Sequence, residues 1–304
     1  MPFGYVSPEQ LMRDKADYAR RGIARGRSCV TLQYAGGILM VAPNASSALH
    51  KISEIYDRIA FAAVGRYTEY ESLRKAGVTY ADVTGYQFHR GDVTARAIAN
   101  WYAQNLDQIF TQSLKPYEVE IVVAEVGTTP DADQIYRITF DGSVSDEPGF
   151  VAFGGEADQV ASALKEKFSD GMSLTEALGA ALEALAAPSS SSSGNGNGGS
   201  AELTADDLEV AILDRGRAHR TFRRLQGSRL EELLADSRAA VASASGDSDE
   251  SDSKKTDSDD PDSGASGSSK PDSKPDSKPE SGAGSGEPPT GPSGTGGDGI
   301  PKKK

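Results

Sequence analysis

The chain has 304 residues, a formal net charge of −13 and a single cysteine, Cys29, which excludes an intramolecular disulfide. The acidic balance argues against nucleic acid as a partner, and the N-terminus lacks the apolar core of a signal peptide. The longest apolar run, Ile59 to Val64, is far shorter than the ~20 residues that cross a bilayer, so we expect a cytoplasmic protein that does not contact membranes.

Composition separates a folded part of the chain from a C-terminal tail. From residue 246 to residue 304 the sequence consists mainly of Ser, Asp, Lys, Pro and Gly, and Ile300 is its only large aliphatic residue. So little apolar surface cannot offset the entropy that a chain loses when it becomes ordered. We therefore predict an acidic, disordered tail over 246–304 and a folded domain over 8–245.

The first predicted element is a helix over residues 7–24. Ser7 can cap this helix, Pro8 suits its first position, and Gln10 stands at the spacing of a capping box. The apolar stripe of the helix is thin. We therefore expect the helix to pack on neighbouring subunits.

A hairpin is predicted over residues 28–41, where two β-rich runs meet at Gly36-Gly37. Residues 52–55 and 59–64 predict two more strands. The second of these lacks polar alternation, which is typical of a strand covered on both faces.

Helices and strands alternate through the middle of the chain. A helix over 66–75 is expected to stop at Gly77, and a long amphipathic helix is expected from about residue 92 to residue 114. Two further strands are predicted at 117–126 and 135–140.

Two helices are predicted after Phe153-Gly154-Gly155, and the second should end before Pro188. The Ser, Gly and Asn residues of 188–201 predict a flexible loop. The last predicted elements are a hairpin over 208–225 and a helix that starts at Ser228. This order predicts an α+β fold, a four-layer αββα sandwich of two antiparallel sheets with helices outside and the N-terminal helix in front.

Several sequence blocks, in this order, resemble the α subunits of proteasomes. They are Tyr18-Ala19-Arg20 before the basic Gly26 segment, SCVTLQYAGGILMVA from Ser28, KISEIYDRIAFAAVG from Lys51, and the Phe153-Gly154-Gly155 turn. The acidic tail and the SPEQLMRDKADYARRGIARGRS head are similar to the actinobacterial version. The resemblance implies the N-terminal-nucleophile hydrolase fold, homo-heptameric α rings that cap rings of β subunits, and a hexameric AAA ATPase as activator.

The resemblance also implies a chain without catalytic residues. Catalytic relatives need a free N-terminal threonine at the start of the first strand, whose own amine serves as base. Here Arg27-Ser28 occupies that place with the head still attached, and Pro43-Asn44 stands where the family needs an acidic residue. Two alternatives remain open, an active amidase of the same superfamily and a ring scaffold without a protease partner.

Lys51 matches the lysine with which the α family receives the C-terminal carboxylate of an activator tail, between neighbouring α subunits. By the same resemblance Asp17 and Gly26 line this pocket, and Arg66 lies near it. No cofactor is expected. No metal site is expected either, because the three histidines lack metal-ligand spacing.

Residues 1–7 are expected to form a gate over the pore of the ring. The segment has no charged side chain, and it ends where proline redirects the chain into the first helix. The residues assigned to the gate are Phe3, Gly4, Tyr5, Ser7 and Pro8. The resulting expectation is a ring subunit that templates β rings and admits unfolded proteins tagged with the ubiquitin-like protein Pup to threonine sites on other chains.

Overall fold

A computed structural model describes residues 7–191 and 203–246 of the chain. Gate residues Phe3, Gly4 and Tyr5, and all but the first residue of the predicted tail, lie outside the described residues. In the described part the helices are α1 (Pro8–Ile23), α2 (Tyr67–Gln87), α3 (Ala95–Gln112), α4 (Ala157–Lys167), α5 (Leu174–Ser191) and α6 (Ser228–Gly246). The strands are β1 (Cys29–Tyr34), β2 (Gly37–Pro43), β3 (Ile52–Tyr56), β4 (Ile59–Gly65), β5 (Val119–Glu125), β6 (Gln134–Ile138), β7 (Val144–Asp146), β8 (Phe150–Phe153), β9 (Leu208–Asp214) and β10 (Phe222–Leu225).

The strands form two antiparallel five-stranded sheets, in the orders β10-β9-β2-β1-β8 and β3-β4-β5-β6-β7. Helices α4, α5 and α6 cover the outer face of the first sheet, and α2 and α3 cover the outer face of the second. A third apolar cluster fills the space between the sheets. The predicted αββα sandwich is confirmed.

Strand β2 shows why the central strands lack polar alternation. Leu39 and Val41 face the helices of the first sheet, whereas Ile38 and Met40 face the second sheet. Since both faces are covered, successive side chains are all excluded from water.

Two hydrogen bonds and one close backbone approach show which end of the first sheet lies beside which end of the second sheet. At one end the Lys51 ammonium, just before β3, donates to the Arg27 carbonyl oxygen at 3.3 Å, just before β1. A Cβ on Gly26 at that end would lie 3.5 Å from the Gly65 amide nitrogen at the end of β4. At the other end the Thr221 amide donates to the Asp57 carbonyl oxygen at 2.8 Å, in the turn between β3 and β4. We call these the α1 end and the hairpin end.

The prediction that the first internal helix stops at Gly77 is wrong, because α2 continues to Gln87. Gly77 is buried inside the helix, where a Cβ would overlap the hydroxyl oxygen of Tyr102 on α3. The glycine is required by the close approach of two helices, and this tertiary contact outweighs its low helix propensity.

The prediction that α5 ends before Pro188 is also wrong, because the helix extends to Ser191. A proline removes its own amide donor from the helix but leaves the neighbouring donors in place. Pro188 is buried, and packing holds the helix through it. The start of the predicted 188–201 loop is therefore helical, and residues 192–201 lie outside the described residues.

The predicted helix from residue 92 begins later, at Ala95, because the Thr94 side chain caps it by accepting from the Ala97 amide at 3.2 Å. Residues Arg90–Asp92 form a separate 3₁₀ turn. Within the described part of the chain, no helix is long and apolar enough to cross a membrane.

Candidate functional site

The four residues predicted to dock an activator all belong to segments at the α1 end. Asp17 lies on α1, and Gly26 lies between α1 and β1. Lys51 directly precedes β3, and Arg66 follows β4 as the N-cap of α2. The topology therefore gathers four residues that are up to 49 positions apart in the sequence at one end of the sandwich.

Lys51 is partly buried and is held by backbone carbonyl groups. Its ammonium donates to the Pro43 carbonyl oxygen at 3.0 Å and to the Arg27 carbonyl oxygen at 3.3 Å. Burial lowers the pKa of Lys51, and the nearby Glu209 carboxylate partly opposes this shift. An ammonium has three N–H donors, so these two carbonyls leave it able to bind one further acceptor, such as a carboxylate.

A buried carboxylate fixes the backbone at Lys51. The two oxygens of Glu209 on β9 accept from the amides of Lys51 at 2.8 Å and Ile52 at 3.1 Å. The side-chain amide of Asn44 also donates to Glu209 at 2.8 Å, and Arg224 forms an ion pair with it. Because hydrogen-bonded buried carboxylates define backbone positions firmly, we assign Glu209 as the residue that positions Lys51.

Sequence reasoning missed Glu209. Its only signal was that it stands alone as a charged residue in the otherwise apolar run Leu208–Leu213. Such a residue in a strand that is buried on both faces must find partners inside the fold, but the sequence does not say which.

Gly26 lies where a side chain does not fit. A Cβ at this position would lie 2.5 Å from a methyl carbon of Val64. The Gly26 carbonyl oxygen accepts from the Gly155 amide at 3.0 Å, which ties the loop before β1 to the turn after β8. Through Arg27, whose carbonyl receives the Lys51 ammonium, Gly26 and Lys51 are brought together.

Asp17 and Arg66 are not joined to Lys51 by any hydrogen bond or ion pair among the described residues. Asp17 pairs with Arg20 at 3.3 Å on the exposed face of α1. Arg66 is exposed and lies 3.8 Å from the carboxylate of Glu118. Both side chains remain accessible from outside the subunit.

Helix α1 is attached to its own subunit by few side chains. Only Lys15, Ala19 and Ile23 are buried along its 16 residues. The Lys15 ammonium donates to the carbonyl oxygens of Phe110 at 3.1 Å and Ser113 at 2.8 Å, at the C-terminus of α3. A cation there satisfies the unpaired carbonyls and complements the helix dipole.

The start of α1 agrees with the prediction in part. Pro8 is its first residue, and the Ser7 hydroxyl accepts from the Gln10 amide at 3.2 Å. The Gln10 side chain, however, donates to Asp14 at 2.8 Å, so the capping box is only half formed. Of the five residues assigned to the gate, these two, Ser7 and Pro8, lie in the described part.

Ser28 lies just before β1, where the resemblance places the nucleophile of catalytic relatives, and it is buried. Its hydroxyl accepts from the Glu156 amide at 3.1 Å, and its nitrogen is part of the peptide bond to Arg27. The neighbouring Cys29 is fully buried, and this burial raises the pKa of its thiol to about 12. In the described residues no group of three His, Cys, Asp or Glu side chains is arranged to hold a metal ion.

Comparisons with known proteins agree with the resemblance. The family model described as "Proteasome subunit" matches residues 23–202. The "Proteasome subunit alpha" of Streptosporangium roseum is 64% identical over 244 residues, which cover 80% of this chain and 90% of that protein. The protein of the same name from Thermomonospora curvata is 63% identical over 236 residues, which cover 78% of this chain and 98% of that protein. The one from Saccharopolyspora erythraea is 57% identical over 259 residues, which cover 84% of this chain and 97% of that protein.

Proposed function

The chain belongs to the actinobacterial proteasome α-subunit family, and from this premise we propose that it is a non-catalytic ring subunit that controls the admission of substrates to a proteasome core. Seven copies form a ring. This ring templates a ring of β subunits, which carry the threonine active sites.

The proposed docking step depends on Lys51. An activator, a hexameric AAA ATPase, inserts its C-terminal tails between neighbouring α subunits, and each terminal carboxylate pairs with a Lys51 ammonium. Support comes from the position of Lys51 at the α1 end and from the buried Glu209, which holds its backbone in place. Exposed Asp17 and Arg66, together with Gly26, complete the pocket from the same end.

The proposed gate is the segment of residues 1–7. It directly precedes Pro8, the first residue of α1. Arg27, whose carbonyl oxygen accepts from the Lys51 ammonium at 3.3 Å, follows Ile23, the last residue of the same helix, by four positions. Helix α1 therefore links the docking lysine to the segment that must move, and this link is the single observation that best supports a gate opened by an activator.

The substrates proposed for the assembled particle are unfolded proteins tagged with Pup, degraded in the cytoplasm. This part of the proposal rests on the family resemblance. An active amidase is disfavoured, because the Ser28 nitrogen is held in a peptide bond and its hydroxyl already accepts from the Glu156 amide.

Replacing Lys51 tests the docking step. Particles co-expressed with a threonine-type β subunit should lose stimulation by the ATPase ring in Lys51→Ala, while ring assembly and basal peptide hydrolysis stay unchanged. Lys75→Ala is the matched control, because Lys75 is an exposed lysine on α2 whose one ion pair among the described residues is with Glu71 on the same helix.

Stimulation of Lys51→Ala at the wild-type level would refute the docking assignment. The co-expression also separates the alternatives. A ring scaffold would form no four-ring barrel with β subunits, and an amidase would hydrolyse amides without them.

A further inference from the structure

Glu118, the residue directly before β5, is a buried carboxylate that contacts both α1 and the start of α2. Its Oε1 atom lies 2.9 Å from the Lys115 ammonium and 3.8 Å from the Arg66 guanidinium. Burial alone would raise the pKa of Glu118, but hydrogen bonds from Lys115 and from the Tyr18 hydroxyl hold this pKa below its usual value. Glu118 therefore stays an anion inside the fold.

The same carboxylate packs against the backbone of α1. A Cβ on Gly22 would overlap the Oε2 atom of Glu118, so the glycine lets the carboxylate lie this close to the helix. Tyr18, which donates to Glu118, lies one turn earlier on the same face of α1. Helix α1 is thus attached to the body of the subunit at Glu118 by a hydrogen bond and a close backbone approach.

The attachment at Glu118 matters because few other side chains hold α1. The Lys15 ammonium binds two carbonyl oxygens at the C-terminus of α3, and Ala19 and Ile23 share a small apolar cluster with Phe140. Residues 1–7 lead directly into α1, so the position of this helix determines where the proposed gate begins.

The backbone of Glu118 is fixed, whereas the Arg66 side chain is free to turn. The Glu118 amide donates to a carboxylate oxygen of Glu69 at 2.7 Å, and its carbonyl oxygen accepts from the Arg66 amide at 2.9 Å. The Arg66 side chain, in contrast, is 56% exposed, and its 3.8 Å separation from the Glu118 carboxylate is too long for a hydrogen bond. A carboxylate that arrives from outside can therefore draw Arg66 away at little cost.

We infer that Glu118 is a positioning residue that couples the docking site to the gate. The inference rests on the proposed function, in which an activator carboxylate enters a pocket that includes Arg66. This carboxylate competes with Glu118 for the Arg66 guanidinium. When Arg66 turns away, Glu118 is left with Lys115 and Tyr18 as partners, and its carboxylate shifts against the α1 backbone that it touches. Such coupling is reciprocal, so any change that loosens the hold on α1 also favours docking.

Removing the charge of Glu118 while keeping its shape tests the inference. In particles co-expressed with a threonine-type β subunit, Glu118→Gln should hydrolyse peptides several-fold faster without activator, because α1 is held less firmly. The concentration of the ATPase ring that gives half-maximal stimulation should fall by about two- to fivefold, since Arg66 loses its competing carboxylate. Glu183→Gln is the matched control, because Glu183 pairs with Lys167 at 2.8 Å between α5 and α4, on the outer face of the first sheet. It should change neither value.

Tyr18→Phe tests the coupling from the α1 side. The substitution removes only the hydroxyl that reaches Glu118, and in the described part of the chain Tyr18 forms no hydrogen bond with Arg66 or Lys51. The basal rate should rise and the half-maximal concentration of the ATPase ring should fall, as in Glu118→Gln but to a smaller extent. A purely structural role of Tyr18 would leave the half-maximal concentration unchanged.

Wild-type values of both quantities in Glu118→Gln would overturn the inference while the proposed function stands. A faster basal rate with an unchanged half-maximal concentration would overturn it as well, since Glu118 would then hold α1 without responding to the activator. If Glu118→Gln forms no barrels, as judged by native mass spectrometry, Tyr18→Phe decides by the same two quantities. Wild-type particles that the ATPase ring does not stimulate would overturn the proposed function and this inference with it.

Discussion

At the scale of single residues, Lys51 combines the cationic role that we propose for it with a site that disfavours charge. Burial lowers its pKa, so its ammonium loses a proton at a lower pH than the 10.5 of an exposed lysine. Only the protonated form attracts a carboxylate. The proposed docking should therefore weaken as the pH rises through this lowered pKa.

The lowered pKa of Lys51 leads to a prediction of how activation depends on pH. As the pH rises towards 10.5, the ordinary pKa of a lysine, stimulation by a saturable activator tail should fall in the wild-type particle, but it should persist in Lys51→Arg, whose guanidinium stays charged. Peptide hydrolysis with and without the activator, at each pH, measures the effect. Basal hydrolysis at each pH corrects for titration of the β-subunit sites. An equal fall in both particles would show that Lys51 is not the titrating group.

The residue scale also shows what the sequence could reveal. Lys51 was recognisable because its block, KISEIYDRIAFAAVG, is continuous in the sequence. Its positioning residue, Glu209, lies 158 residues away and reaches it through the packing of β9 near the start of β3. A single sequence contains no signal for that pairing.

At the scale of elements, the strands were predicted well and some helix ends were not. Runs such as Ile59–Val64 carry their own signal, because β-branched and apolar residues define a buried strand locally. Gly77 and Pro188 looked like helix stops, and both lie inside helices. In each case tertiary packing outweighed a local preference that is worth only a few kcal/mol.

The Gly77 contact predicts an unusual response to alanine. Although alanine favours helices, Gly77→Ala should destabilise the subunit by about 1–3 kcal/mol, because the new methyl overlaps the Tyr102 hydroxyl. In the double variant with Tyr102→Phe, the loss should be smaller than the sum of the two single losses. Thermal unfolding of the four proteins measures the coupling.

The exposed Thr79 on the same helix provides a control, since Thr79→Ala should change stability little. Strict additivity of the Gly77 and Tyr102 substitutions would contradict the close helix contact.

At the scale of the whole molecule, the sandwich has two distinct ends, and we propose that one of them serves activation. The α1 end carries Lys51, the proposed docking residue, and the hairpin end carries the turn between β3 and β4. Sheet order explains this division, because antiparallel hairpins return the chain alternately to each end. The sequence predicted the layers, since each element carries its own pattern. The grouping of distant residues at one end depends on strand pairing, which no single element encodes. The proposed gate would depend on contacts between copies of the chain.

The central claim is that the N-terminal segment of this chain closes the pore of an assembled proteasome. The most direct measurement compares peptide hydrolysis, without activator, by wild-type particles and by particles whose α chain lacks residues 2–7. With barrel assembly matched by native mass spectrometry, we predict a several-fold faster rate for the deletion and little further gain when the activator is added. Equal rates in the two particles would contradict the account.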